Sequence, residues 1–95
     1  MPKRLEWSIR AERDRELIVT YYAETASPHV AEMAQEAIFS AVEKLATRPV
    51  LHRPGRPGTR ECVLRRFPYT IVYRASSNII HIVRVLHQAR EYFNR

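Results

Sequence analysis

The residues of this sequence that are best suited to chemistry are its arginines, and most of them lie in the second half of the chain. Residues 48–95 hold ten arginines and two glutamates, a formal net charge of +8, whereas residues 1–47 have a net charge of −2. The guanidinium is a planar fork of donors that pairs well with carboxylates and phosphates. The second half therefore predicts a surface for an anionic partner. The alternative is a solvated basic face that keeps a small protein soluble.

The candidate binding residues flank three strand-like segments and could gather on one concave surface. Cations that hold a phosphate, together with a histidine that moves protons, are what RNA cleavage without a metal requires. An acidic protein could bind the same arginines, and the residue types do not separate these two uses. The set is Arg60, Arg65, Arg66, Arg74, Arg84, His87 and Arg90.

The sequence lacks the common cofactor and metal motifs. It contains no Gly-rich phosphate loop, no His-Glu-x-x-His and no Gly-x-Ser-x-Gly, and its four histidines show no helical ligand spacing. We therefore expect no cofactor and no metal. The one cysteine, Cys62, lies among apolar residues of a predicted strand and is expected to be a small buried hydrophobe.

Length and composition favour one globular domain over residues 1–95. The chain is 45% hydrophobic and 27% charged, which suffices for a core and argues against disorder. No apolar run approaches the ~20 residues that span a bilayer, so no membrane contact is expected. The N-terminus lacks the apolar stretch of a signal peptide, which predicts a cytoplasmic protein.

The first half predicts a strand followed by a helical hairpin. Residues 1–8 hold the strand, and Ser8 can cap a helix over 9–26 on which Leu17, Ile18, Tyr21 and Tyr22 form one apolar stripe. Ser27 caps a second helix over 28–47, with Pro28 at its first position. The apolar residues of this second helix recur at a 3-4 spacing and predict core; they are Val30, Met33, Ala34, Ala37, Ile38, Ala41, Val42 and Leu45.

The second half predicts an antiparallel sheet. Residues 48–58 contain both glycines and three prolines and are expected to be a loop without regular structure. Residues 59–87 form a three-strand meander, and 88–95 form a C-terminal tail. In the last strand, Ile80, Ile82 and Leu86 are expected on one face and Val83 and Val85 on the other. The predicted class is α+β, a two-layer β-α-α-β-β-β fold with the helical hairpin packed on a mainly antiparallel sheet.

Three segments on these elements resemble the RelE/ParE superfamily, the toxins of type II toxin–antitoxin modules. They are Gly58-Thr59-Arg60-Glu61, Pro68-Tyr69-Thr70-Ile71-Val72-Tyr73-Arg74 and Val85-Leu86-His87-Gln88-Ala89-Arg90, in this order and spacing. The resemblance covers essentially the whole chain and lies on the ParE side of the superfamily. It implies a small cytoplasmic bacterial toxin that a cognate acidic antitoxin holds inactive.

Two mechanisms follow from the resemblance. A ParE-like toxin poisons DNA gyrase without a known catalytic site, and the contact would be made by the basic face, including Arg56, and by a tail with Tyr92 and Phe93. A RelE-like toxin cuts mRNA on the ribosome, and here that would fall to Arg60, Arg84, His87 and Arg90. Nuclease members typically carry lysines along the first meander strand, whereas this chain has no lysine after Lys44. The ParE-like mechanism is therefore favoured.

Overall fold

The computed structural model describes residues 2–48, 53–55 and 57–91. The chain runs through one strand, two long helices, four further strands and a helical turn. These elements are β1 (Arg4–Trp7), α1 (Ile9–Thr25), α2 (Pro28–Thr47), β2 (Arg53–Pro54), β3 (Arg60–Val63), β4 (Tyr69–Ala75), β5 (Ile79–His87) and α3 (Gln88–Glu91).

The strands form one mixed sheet in the order β1-β5-β4-β3-β2. The pairing of β1 with β5 is parallel, with Arg4 opposite Ile79, and the other pairings are antiparallel. The helical hairpin packs on this sheet, so the α+β class and the order of the main elements are confirmed.

Both helices begin where the sequence predicts. The Ser8 hydroxyl accepts a hydrogen bond from the Ala11 N–H at 2.9 Å, and the Ser27 hydroxyl accepts one from Val30 at 3.1 Å. These caps satisfy amides that have no partner inside the helix. The Ser8 hydroxyl also donates to the Val83 carbonyl at 2.8 Å, so the same residue ties the start of α1 to β5.

The core lies between the hairpin and one face of the sheet. The side chains of Ile38, Ile71 and Ile82 are almost completely buried there. The apolar stripe of α1 is only partly buried, because Ile18 is buried and Tyr22 packs against the core while Leu17 and Tyr21 are exposed. Only the side of α1 that carries Ala11 and Ile18 faces the core.

The predicted faces of the last strand are also wrong, because a β-bulge interrupts the alternation. Val72 lies opposite Arg84 while Tyr73 lies opposite Ile82, so Val83 has no partner on β4. The extra residue moves Val85 onto the buried side with Ile82, and Leu86 is only half-buried. A bulge of this kind reverses the side-chain alternation beyond it.

The expectation that residues 48–58 lack regular structure is wrong at one point. Arg53 and Pro54 pair with Glu61 and Arg60 as the short edge strand β2. Proline is tolerated there because an edge strand has one side without ladder hydrogen bonds. The tail predicted over residues 88–95 begins with the helical turn α3.

Candidate functional site

An open groove of about 980 Å³ separates α2 from β3. Its floor is apolar and is formed by Met33, Ala37 and Ala41 of α2 together with Cys62 and Leu64. The small alanine side chains keep α2 from filling the space, and Val63 beside the floor is 45% exposed. A concave apolar surface of this volume has the dimensions of a binding site.

The floor explains why part of the apolar stripe of α2 is not core. The helix buries Ala34, Ile38 and Val42 against the sheet. Met33 and Ala37, which the sequence also assigned to the core, are partly exposed and line the groove, whereas Ala41 both packs against the core and lines the groove. The apolar stripe of α2 is thus wider than the surface that packs on the sheet, and it contributes side chains to both the core and the groove.

Basic side chains border the groove along α2 and at one end. Lys44 and Arg48 come from the last turn of α2 and from its cap, and Arg65 and Arg66 come from the turn after β3. Glu36 and Glu61 are the two carboxylates among the lining residues. Glu61 is 4% exposed, whereas Arg65 and Arg66 are exposed, so cations dominate the accessible rim.

The thiol in the groove floor is a weak nucleophile. Burial raises the pKa of Cys62 above the ordinary value of 9.0, and the nearby Lys44 ammonium offsets part of that rise. Burial also raises the pKa of the neighbouring Tyr73 phenol. Both side chains are therefore neutral near pH 7. Cys62 is half-buried, close to the expectation of a packed hydrophobe.

The structure divides the basic residues between opposite ends of β4 instead of gathering them on one surface. Arg65 and Arg66 precede Tyr69, where β4 begins, whereas Arg74 lies near the end of that strand. Arg60 pairs with Tyr73 and so lies at the Arg74 end. Six residues of extended chain separate Tyr69 from Ala75, which is about 20 Å. Of the four arginines named here, Arg65 and Arg66 line the groove, whereas Arg60 and Arg74 do not.

Arg84 is bound within the fold. Its Nε and Nη2 donate to the two oxygens of Asp14 on α1 at 2.7 and 3.0 Å. The Val85 N–H donates to the same carboxylate at 2.9 Å. The hydrogen bonds that Arg84 donates to Asp14 raise the pKa of Arg84, and burial partly opposes that rise. Arg84 therefore anchors α1 to β5.

His87 lies at the end of β5 beside Tyr69. The two ring centroids are 5.3 Å apart in an edge-on arrangement. The His87 Nδ1 accepts a hydrogen bond from the Ala89 N–H at 3.1 Å, which places the proton of the neutral ring on Nε2. The next side chain, Gln88, donates to the carbonyls of Leu64 and Tyr69, so this corner is tied to the end of the groove.

The residues that a nuclease would use do not converge. Arg60 lies opposite Tyr73 and His87 opposite Tyr69, on the two flanking strands of β4. Four residues of strand separate them, which is about 13 Å along β4 alone. Arg84 is occupied by Asp14. For Arg90 the structure describes the backbone of α3 only, and Arg56, Tyr92 and Phe93 lie outside the described residues.

Sequence reasoning missed the groove and the Asp14 anchor. Asp14 is one of several charged residues of α1. Its partner Arg84 is 70 positions away in the sequence, so the pair forms only when the chain is folded. No group of three or more histidine, cysteine or acidic side chains that could hold a metal occurs within residues 2–48, 53–55 and 57–91. Over the same residues, no helix is long and apolar enough to cross a membrane.

Comparison with known proteins places this geometry among toxins. Residues 5–92 match the family described as the ParE toxin of the type II toxin–antitoxin system parDE. A Sinorhizobium fredii protein, the toxin candidate Y4kP, is 38% identical over 91 residues, which covers 95% of this chain and 93% of that protein.

Solved structures share the same fold. The chromosomal ParDE toxin–antitoxin system of P. aeruginosa contains a chain that superposes with a TM-score of 0.80 at 27% identity, over 90% of this chain and 95% of that one. A chain of the toxin–antitoxin complex RelBE2 from Mycobacterium tuberculosis superposes with a TM-score of 0.60 at 24% identity, over 94% of both chains. The second likeness concerns the fold alone.

Proposed function

Since the chain belongs to the family of ParE toxins of type II toxin–antitoxin systems, we propose that it inhibits growth by acting on DNA gyrase and is neutralised by a cognate acidic antitoxin. The ParE-like segments of the sequence support this target. The cytoplasm, where gyrase acts, is the corresponding location.

The observation that carries this proposal is the engagement of Arg84 by Asp14. A nuclease of this fold would need Arg84 to stabilise phosphate, but its guanidinium already donates to a carboxylate at 2.7 and 3.0 Å. Arg60 and His87 lie on different strands at separate ends of β4. This arrangement favours action by binding over RNA cleavage, because catalysis requires groups that converge on one reacting phosphate.

A supercoiling assay with purified protein and gyrase tests the target. We expect inhibition of supercoiling or accumulation of the cleaved gyrase–DNA complex, and we expect His87→Ala to leave growth inhibition in cells intact. Primer extension on cellular mRNA after induction is the companion measurement. Normal supercoiling, together with discrete mRNA cuts that His87→Ala abolishes, would identify the RelE-like ribosome-dependent nuclease instead.

The groove between α2 and β3 is the proposed antitoxin site. Its floor of Met33, Ala37 and Leu64 can bury apolar side chains, and its rim of Arg65 and Arg66 complements carboxylates. The P. aeruginosa relative belongs to a toxin–antitoxin system, which supports a partner of this kind. An acidic segment with interspersed apolar residues matches both parts of the groove.

Charge reversal at the groove tests the antitoxin site. We expect the double variant Arg65→Glu/Arg66→Glu to weaken antitoxin binding by about tenfold or more and to reduce its salt dependence. The matched control is Arg74→Glu, an exposed arginine near the far end of β4. Equal loss in both variants would indicate a general charge effect, and no loss in either would place the antitoxin elsewhere.

A further inference from the structure

The outer side of α1 carries a stripe of five exposed residues, two of them apolar and three charged. Leu17 is 62% exposed and Tyr21, one turn later, is 55% exposed. With 3.6 residues per turn, Arg10, Arg13 and Glu24 fall on the same side of the helix. The buried side of α1, at Ala11 and Ile18, points in another direction.

The stripe has a symmetric pattern about Leu17. Arg13 and Tyr21 are each four residues from Leu17, and Arg10 and Glu24 are each seven residues from it. When two such helices cross antiparallel with Leu17 facing Leu17, Arg10 meets Glu24 and Arg13 meets Tyr21, twice each. The first pair has opposite charges, and the second sets a guanidinium on an aromatic ring.

We propose that the occupant of this stripe is a second copy of this chain, which binds α1 against α1 in an antiparallel, two-fold symmetric dimer. A two-fold interface must be complementary to itself, and the order Arg10, Arg13, Leu17, Tyr21, Glu24 meets that condition. The Tyr21 ring is already positioned by edge-on packing on Tyr22, with centroids 5.2 Å apart.

The distribution of charge favours this side of the molecule. Each chain carries a formal charge of +6, so two copies repel each other wherever the arginine-rich half faces its counterpart. Helix α1 contains three arginines and four carboxylates and is nearly neutral. Electrostatic repulsion between two copies is therefore weaker when they meet through α1 than when their arginine-rich halves face each other.

The small area that one pair of helices buries limits the expected affinity of the dimer. Stable interfaces bury about 1,200–2,000 Å² in total, and a single pair of short helices lies at the lower end or below it. We therefore expect a dimer that forms reversibly with concentration. None of the residues of this stripe lines the groove between α2 and β3, so the dimer does not use the groove.

Sedimentation equilibrium of the purified chain over a range of concentrations tests the proposal by charge exchange. We expect Arg10→Glu and Glu24→Arg each to raise the dimer dissociation constant at least tenfold, and the double variant Arg10→Glu/Glu24→Arg to restore it. Within one chain these residues are 14 positions apart on the helix, about 21 Å, so restoration can only act between chains.

Two further variants complete the test. Leu17→Lys sets two like charges together on the axis and should leave a monomer, whereas Glu32→Arg, an exposed reversal on α2, should leave the dimer unchanged. Circular dichroism checks the helix in each case. A wild-type chain that is monomeric throughout, or a double variant that fails to restore the dimer, overturns the proposal. The proposal is also overturned if variants at Arg10, Leu17 and Glu24 lose antitoxin binding while the oligomeric state stays the same.

Discussion

The carboxylate of Asp14 binds both the side chain of Arg84 and the backbone next to it. It accepts the guanidinium at 2.7 and 3.0 Å and the Val85 N–H at 2.9 Å. The parallel partner β1 ends opposite Ile82, so beyond that point α1 supplies an acceptor to the edge of β5. Asp14 thus accepts a hydrogen bond from β5 beyond the point where β1 ends.

Asp14→Asn should lower the free energy of unfolding by about 1–3 kcal/mol, because a partly buried guanidinium loses its charged acceptor. Arg84→Met should cost less, since the carboxylate keeps the Val85 N–H. Urea denaturation of both single variants and the double variant measures the coupling. The exposed Arg74→Met is the control. A coupling near zero would mean that the pair contributes nothing to stability.

Filling the groove should block the partner without unfolding the chain. Ala37→Phe places a ring on the groove floor, which is open to solvent, and should weaken antitoxin binding at least tenfold with little change in melting temperature. Ala23→Phe makes the same change on the exposed surface of α1 and should bind normally. Isothermal titration with the antitoxin compares them, and equal affinities would contradict the assigned floor.

The thiol of Cys62 should react slowly at neutral pH. Burial raises its pKa above 9.0, so the reactive thiolate is scarce at pH 8 and increases only at higher pH. The rate of iodoacetamide labelling should therefore rise with a midpoint above 9.0 in the folded chain. Lys44→Ala should slow labelling further, because the ammonium lowers the pKa. A midpoint below 9.0 would contradict the burial argument.

The two glycines should respond differently to substitution. A Cβ at Gly55 would lie 2.8 Å from the Thr59 Oγ1 and 2.9 Å from the buried Glu61 side chain, so Gly55→Ala should destabilise the fold by about 1–3 kcal/mol. Gly58 has φ +82° and open space around it, so Gly58→Asn should be tolerated better than Gly58→Ala. Thermal denaturation measures all three. A wild-type melting temperature for Gly55→Ala would contradict the close approach.

Local patterns were sufficient to predict the helices. Ser27 followed by Pro28 carries its own physical signal for a helix start, and α2 begins and ends as predicted. The faces of α1 were harder, because Leu17 and Tyr21 belong to the same stripe as Ile18 and Tyr22. Their exposure depends on where α2 and the sheet pack, which periodicity does not contain.

The candidate site was less predictable than the fold. A bulge at Val83 leaves no sequence signal, yet it decides that Val85 is buried. The arginines were identified by type, but their separation along β4 depends on strand register. Asp14 could not be distinguished from the other charges of α1, since its role depends on a residue 70 positions away.

The parallel pairing of β1 with β5 also affects how the chain folds during its synthesis. Arg4 must wait for Ile79 to be synthesised before it can join the sheet. Ribosomes add about 5–20 residues per second, so for at least about 4 seconds a nascent chain can form its helical hairpin but not the pair of β1 with β5. A chain cut short before β5 can still pair β4 with β3, but it has no partner for β1. The sheet can therefore be completed only after β5 has been synthesised.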